Sequence, residues 1–422
     1  MTTVTRVLAD QLLSRSLREH YWAADQTRRR LALLLRPSNR AFARTVRADF
    51  ARFLFGTVQP IVGENQSRAR AAVDWLLYAQ AATRDGGVSL GYFPCDIEEG
   101  WRPSYPETTG YIVTSLLGFS RRFNDAEVGA RALKMAHWEA AIQMPSGAVQ
   151  GGPVTSPDRQ TPCAFNTGMV LDGWVSAYLF QQDSRFLDAA RKAAEWLAAD
   201  MNEEGYFRTN GQFVAPGQIK TYNVLCAWAM HRLGEIVPGS CYGTTAIRSV
   251  EAALRQQQPN GWFANNCLTR PDAPLLHTIA YTLQGILEVG ISARREDFLL
   301  SVQRGTDALL PRISNDGFVP GRFFSDWGAA TFSSCLTGSA QLAVVCYRLY
   351  EHLQEGRYLH AANRLVNYLK PLQLINPFHP EWNGALAGSF PLFGGYMTAG
   401  YPNWATKYLL DALLLQDRLA GS

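Results

Sequence analysis

The sequence predicts an all-α fold, six helical hairpins closed into one (α/α)6 barrel with an N-terminal helical extension. Three observations predict it: a helical apolar pattern that recurs six times, a glycine turn after each recurrence, and a second, more apolar helix after each turn. The spacing of about 50 to 60 residues is that of a repeated supersecondary unit, which buries its apolar faces by stacking on its neighbours.

Taken in order, residues 1–66 precede the repeat and read as a helical extension laid on the outside of a barrel domain spanning 67–422. The first helix of each hairpin has apolar residues at i, i+3 and i+4, with segments starting at Arg68, Val128, Arg185, Thr244, Asp297 and Arg357. The turns carry Asp85-Gly86-Gly87, Ser146-Gly147, Glu204-Gly205-Tyr206-Phe207, Asn260-Gly261-Trp262-Phe263, Asp316-Gly317-Phe318 and Asn383-Gly384. Glycine there supplies a left-handed turn conformation, and the aromatic after it folds back on the core. The second helices are TTGYIVTSLLGFSRRF, NTGMVLDGWVSAYLF, TYNVLCAWAMHRL, HTIAYTLQGILEVG, LTGSAQLAVVCYRLY and NWATKYLLDALLLQD. The offset leaves Arg68–Gln80 without a preceding partner and Asn403–Asp417 without a following one, so these two pack together and close the ring. The competing arrangement, an open superhelix, exposes two apolar ends that need polar caps.

Composition limits the function. With 422 residues, 47% hydrophobic and 18% charged, the chain has ample apolar surface for one large core. The net charge of +4 is small, and an arginine run from Arg28 to Arg47 reads as a solvated helix face, so no nucleic-acid partner is expected. Seven cysteines, odd in number and without CxxC spacing, indicate neither a disulfide framework nor a zinc site. Neither an apolar signal region nor a run of about 18 apolar residues occurs, so a cytoplasmic protein with no membrane span is expected. No HExxH, phosphate-binding loop, dinucleotide fingerprint or GxSxG in a suitable setting is present, and no metal or cofactor is expected.

The loops that lead into the second helices all emerge at one end of such a barrel, which makes that mouth the place for a site. Trp101, Arg102, Tyr105, Tyr111, Asn166, Tyr222, Asn223, Trp327, Asn403 and Trp404 lie at these junctions as candidate substrate-binding residues. Flat indole and phenol faces stack on sugar rings, and the polar groups between them pair with sugar hydroxyls. Glu107 follows a rigidifying proline at the start of a helix and is the leading candidate catalytic carboxylate; a helix-capping acid is the competing role. Asp172 and Asp326, with Asp85, are candidates for a second carboxylate, against plainer roles as an arginine's partner or turn formers. His277 opens a helix with Tyr281 one turn later on the same face, a pair suited to moving protons at a sugar carbon or oxygen. Lys220, Arg102, Arg270 and Arg322 are candidate partners for a uronate carboxylate.

The hairpins with their Asp/Asn-Gly-aromatic turns resemble the six-hairpin glycosidase superfamily over about residues 65–418. Within it, Ser104 to Tyr111, Cys335-Leu336-Thr337-Gly338 and Tyr401-Pro402-Asn403-Trp404 resemble proteins of bacterial exopolysaccharide gene clusters. The resemblance implies a carbohydrate-active enzyme on a bacterial oligo- or polysaccharide, foremost a glycoside hydrolase using Glu107 with Asp85, Asp172 or Asp326. Resemblance to uronyl epimerases implies instead a uronate C5-epimerase or lyase-type proton abstraction, with proton transfer by Glu107 and His277, Tyr222 or Tyr281. A non-catalytic glycan-binding component is the third expectation.

Overall fold

The computed structural model describes residues 28–420 apart from 57, 98, 215 and 216, so the part of the expected N-terminal extension before residue 28 lies outside the described residues. After α1 (Arg40–Phe55) the chain runs through α2 (Asn65–Thr83), α3 (Pro106–Phe123), α4 (Ala126–Ile142), α5 (Ala164–Gln181), α6 (Ser184–Asp200) and α7 (Leu225–Ile236). It continues with α8 (Tyr242–Leu254), α9 (Leu276–Ser292), α10 (Glu296–Leu309), α11 (Leu336–Leu353), α12 (Gly356–Leu369) and α13 (Asn403–Ala420). The odd-numbered helices from α3 to α13 form an inner ring, each packed on the next, and α13 packs back on both α3 and α2. The fold is therefore the closed (α/α)6 barrel expected, not the open superhelix.

Helix composition explains the two layers. The outer helix α6 buries Phe186, Ala189, Ala190, Ala193, Ala194 and Leu197, a single stripe at helical spacing, and the Asp183 side chain caps it through the Arg185 N–H. The inner helix α5 is buried on almost every face, from Ala164 to Ala177. Inner helices approach closely where glycine allows it: a Cβ on Gly110 would lie 2.5 Å from the Val170 Cα, so α3 and α5 touch backbone to backbone.

The turns repeat one device. Gly147, Gly205, Gly261 and Gly317 each press on a carbonyl of the next outer helix, and Gly384 in the last hairpin presses on Ala71 in the first. Gly384 has φ +94°, and a Cβ there would sit 2.0 Å from the Ala71 oxygen, so only glycine fits the join that closes the ring. A glutamine reinforces several of these turns. Gln143 Nε2 donates to the Gly147 and Ala189 carbonyls at 2.9 and 3.0 Å; Gln373 Nε2 repeats the pattern across the closure, to Gly384 and Arg68 at 2.9 and 3.0 Å. The threonine one turn into α3, α5 and α13 then takes the backbone N–H that follows the turn: Val88 N to Thr109, Val149 N to Thr167 and Leu386 N to Thr406, each at 2.9 Å. These threonines are thus barrel scaffolding.

Two short antiparallel ladders tie the loops at the inner-helix N-termini. β1 (Gly91–Tyr92) pairs with β4 (Tyr401–Pro402), and β2 (Ser334–Cys335) with β3 (Ser389–Phe390). Helix α1 braces the same loops: Phe42 meets Trp382 and Tyr401, Phe53 meets Phe390, and Asp49 accepts from the Leu392 N–H at 2.6 Å. Among the described residues, no helix is long and apolar enough to cross a membrane. The seven cysteines are free thiols, all buried except Cys241.

Candidate active site

A cavity of about 290 Å³ lies among the N-terminal ends of the inner helices. Its wall holds Glu107 from α3, Phe165 and Asn166 from α5, Tyr222 from the turn before α7, His277, Thr278 and Tyr281 from α9, and Trp404 from α13. Loop residues Tyr105, Cys163, Asn210, Tyr396 and Met397 complete most of it.

Glu107 occupies the first turn of α3, directly after Pro106. Protein surrounds the carboxyl except on its cavity side, and burial pushes its pKa up to about 8. A helix N-terminus favours an anion by about 0.3–1 kcal/mol, too little to offset the loss of bulk solvation here. At pH 7 the protonated form therefore leads by about ten to one. Five phenols stand within electrostatic reach: Tyr105, Tyr111, Tyr222, Tyr281 and Tyr396 are all raised by burial first and by Glu107 in addition. They remain hydroxyl donors across the physiological range. Burial likewise pushes the Cys163 thiol up to about 12, which leaves it an inert part of the wall.

His277 is buried and its Nδ1 lies 2.6 Å from Gln341 Oε1. With Nδ1–H donating to that oxygen, the ring is held in the tautomer whose Nε2 carries the lone pair. Burial pushes the imidazole down to about 4 against the opposing effect of Gln341, so it is a neutral base at pH 7. Tyr281 lies against the imidazole, ring centroids 4.3 Å apart, and Tyr396 flanks it at 5.5 Å. Trp404 Nε1 donates to the Tyr396 hydroxyl at 2.9 Å, fixing that loop phenol in the wall. Phe165 meets Tyr222 and Tyr281 at 5.3 and 5.0 Å, and Asn166 is anchored by its Nδ2 to the Gln150 carbonyl at 3.0 Å.

Other residues named from the sequence lie elsewhere. Asp172 pairs with Arg232 and accepts from Thr114 at 2.7 Å, farther along the barrel axis, so it does not face Glu107. Asp326 accepts from the Gly328 N–H at 2.8 Å in a loop turn, and Asp85 serves its own turn through Gly87 and Ser104. The expectation of a second carboxylate opposite Glu107 is corrected accordingly: each of the three is occupied by local structure. Trp101 packs on Trp75, Tyr78 and Tyr92, and Trp327 is buried against Trp262 with its indole N–H on the Asn260 carbonyl, so both are scaffold aromatics. Asn403 is fully buried, donating to the Ser89 carbonyl and Thr108, and so braces the junction from behind. Asn223 stands behind Asn210, to which it donates at 2.8 Å. Tyr111 lies one turn beyond Glu107, on a partition below the cavity.

The candidate cations are also engaged away from it. Arg102 pairs with Asp96 at 2.9 Å and Arg270 with Asp272 at 3.0 Å, while Lys220 donates to the Cys267 carbonyl at 2.8 Å. Arg322 donates to the Ala273 carbonyl at 2.7 Å and lines a crevice of about 10 Å³ on the far side of Leu275 and Tyr396. The cavity wall thus has one carboxyl and one imidazole, with no lysine or arginine. Among the described residues, no three histidine, cysteine, aspartate or glutamate side chains gather as a metal site would require.

Reading junction residues alone misses Tyr396, Met397 and Gln341. The first two follow Gly394-Gly395 in a long loop with no helical pattern, and the signal for Gln341 is a lone amide within the apolar run of α11.

The fold and cavity together define an (α/α)6 barrel with an aromatic, acid- and imidazole-bearing pocket at its loop end. No protein-family model and no curated protein sequence matches the chain. Solved structures do. An unsaturated glucuronyl hydrolase from Bacillus sp. GL1, responsible for the degradation of glycosaminoglycan, superposes with a TM-score of 0.67 at 16% identity, covering 84% of this chain and 97% of that one. D-mannose isomerase gives 0.67 at 11% identity, with 85% and 100% covered. Cellobiose 2-epimerase from Bacillus thermoamylovorans gives 0.64 at 12% identity, with 82% and 98% covered. At these identities the likeness establishes the barrel fold.

Proposed function

We propose that this protein is a carbohydrate-active enzyme that moves a proton at a carbon of a neutral sugar, an epimerase or isomerase. The observation that carries this reading is the pairing of Glu107 with His277 in one small aromatic cavity that has no second carboxylate and no cation. Hydrolysis by two carboxylates needs a partner about 5–5.5 Å from the acid, or about 6.5–9.5 Å for water activation. Asp85, Asp172 and Asp326 all serve other contacts. A uronate would bring a carboxylate into a wall that offers it no lysine or arginine, so an uncharged sugar, free or at the end of a bacterial oligosaccharide, suits the cavity better.

The chemistry follows from the protonation states. His277 Nε2 removes the proton from the carbon next to the carbonyl of an open-chain sugar, while Glu107 gives its proton to the carbonyl oxygen. The product is an enediol, neutral in a pocket that would penalise an enolate. If the enediol turns over before the imidazolium returns its proton to the same carbon, while the same hydroxyl gives its proton back to Glu107, the product is the epimer. If the imidazolium protonates the former carbonyl carbon and the neighbouring hydroxyl gives its proton to Glu107, the product is the aldose–ketose isomer. In either case both residues recover their starting states. The phenols of Tyr281, Tyr222 and Tyr105 supply hydroxyl donors to the sugar oxygens. Solved relatives of the barrel named as an isomerase and an epimerase support the same reading.

The second reading is hydrolysis, which the glucuronyl hydrolase neighbours favour and for which a protonated Glu107 is a fitting acid. Incubation with mannose, glucose and cellobiose, followed by chromatography of the products, separates the two. A new epimer or ketose with the disaccharide linkage intact supports proton transfer. Release of monosaccharide from cellobiose without rearrangement refutes it.

A further inference from the structure

The inner helices carry a second set of lumen-facing groups beyond the Glu107 cavity. Along α3, Glu107 is followed by Tyr111, then Thr114, Ser115 and Gly118; along α9, His277 is followed by Tyr281 and Gln284; along α13, Trp404 is followed by Lys407, Tyr408 and Asp411. At 1.5 Å per residue, Ser115 lies about 12 Å farther down the axis than Glu107. Tyr111, Met169 and Tyr408 form a partition, and below it is another chamber of about 270 Å³. Gly118, exposed to solvent, stands at its rim.

Three charged side chains line this chamber, Asp172, Lys407 and Asp411, and each has a partner of opposite sign. Asp172 pairs with Arg232, and Lys407 pairs with Asp411 at 2.8 Å. Ser115 donates to Asp411 at 2.6 Å, and Lys407 lies 3.9 Å over the Tyr408 ring. Trp228 forms part of the wall, and Gln284 Oε1 has no hydrogen-bond partner. With charge balanced, neither an anion nor a cation gains net attraction. A hydroxyl group gains, because it donates to a carboxylate lone pair and accepts from a neighbouring ammonium or hydroxyl donor. The indole face adds a stacking surface for a ring.

We infer that the lower chamber is a second binding site, separate from the Glu107 cavity, for a small neutral sugar or related polyol. Its ligand enters at the C-terminal ends of the inner helices, past Gly118, and is held by Asp172, Lys407, Asp411, Gln284 and Trp228.

Gly118 also supplies the test, because a Cβ built there meets nothing within 4 Å. Gly118→Phe places a ring at the chamber's entrance, and replacing a mid-helix glycine does not weaken α3. Saturation-transfer NMR with glucose, mannose and N-acetylglucosamine as probes compares wild type, Gly118→Phe and Glu107→Gln, with circular dichroism melts to verify that each is folded. The expected result is that titration of at least one sugar shows a binding component kept in Glu107→Gln and weakened at least about tenfold in Gly118→Phe, apart from any component at the Glu107 cavity, which Gly118→Phe leaves intact. Titrations that are the same in wild type and Gly118→Phe overturn the inference, as does binding lost altogether in Glu107→Gln, which would put all of the sugar in the upper cavity. Silence toward all three sugars overturns it as well. Turnover at the upper cavity is a separate readout, so failure here leaves the proton-transfer reading to its own tests.

Discussion

Replacing Glu107 with glutamine should stabilise the protein in a manner that grows with pH. The native carboxyl holds its proton up to about 8, while the unfolded chain releases it near 4.5. Between those values the unfolded state binds fewer protons, so raising the pH favours unfolding of the wild type. The 3.5-unit gap between 8 and 4.5 sets a ceiling of about 5 kcal/mol, at about 1.36 kcal/mol per unit. The cavity side of the carboxyl is open to water, which relaxes the penalty, so a relative gain for Glu107→Gln of about 2 kcal/mol between pH 5 and pH 8.5 is expected. Glutamine has the shape of the protonated acid and no titration, so the two proteins should nearly match below pH 4.5. Urea midpoints at pH 4.5, 7 and 8.5 measure this. A stability difference independent of pH, or a wild type that gains on the variant as pH rises, would refute the claim that burial keeps Glu107 protonated.

Further outcomes follow from the same geometry. Turnover should hold level from about pH 5 to 7 and fall with a midpoint near 8 as Glu107 loses its proton, with an acid limb near 4 from His277; a limb near 6.5 would mean an ordinary, solvated histidine. Gln341→Leu removes the oxygen that sets the His277 tautomer, and kcat should drop about tenfold to a hundredfold with little change in KM. Gln341→Glu should restore orientation and move the acid limb upward, which loss of packing alone would not do. Gly384→Ala forces a side chain into φ +94° against the Ala71 carbonyl, and the cost of at least about 2 kcal/mol should appear as a lower urea midpoint; an unchanged midpoint would show that the first and last hairpins are not locked there.

The barrel was legible because its cause is periodic. Apolar residues at helical spacing, the glycine turns and the offset of Arg68–Gln80 from Asn403–Asp417 are local signals, and closure follows from counting hairpins. The site was legible best where a polar residue begins an inner helix. Glu107 and His277 meet that condition, Tyr281 follows His277 by one turn on the same face, and all three share the cavity. Asp172 met a looser one, an acid on an inner helix, and its position two turns in puts it in the lower chamber. Trp101, Trp327 and Asn403 show the limit of reading junctions: a residue beside a helix start is as readily turned behind the loop as into the lumen, and that choice is made by packing with distant segments such as Trp75 and Ser89. Tyr396 reached the cavity through a long loop pinned by Trp404, a contact without periodicity to betray it.

The central claim is that Glu107 and His277 exchange protons with a sugar carbon, and solvent deuterium tests it most directly. Wild type, Glu107→Gln and His277→Asn are each incubated in heavy water with mannose, glucose and cellobiose, and recovered sugars are analysed by mass spectrometry and proton NMR. The account predicts one carbon-bound deuterium in wild-type reactions, next to the original carbonyl carbon in an epimer or on that carbon itself in a ketose, and its loss in both variants. Sugars that are cleaved without carbon-bound label, or label that persists when His277 and Glu107 are replaced, would contradict it.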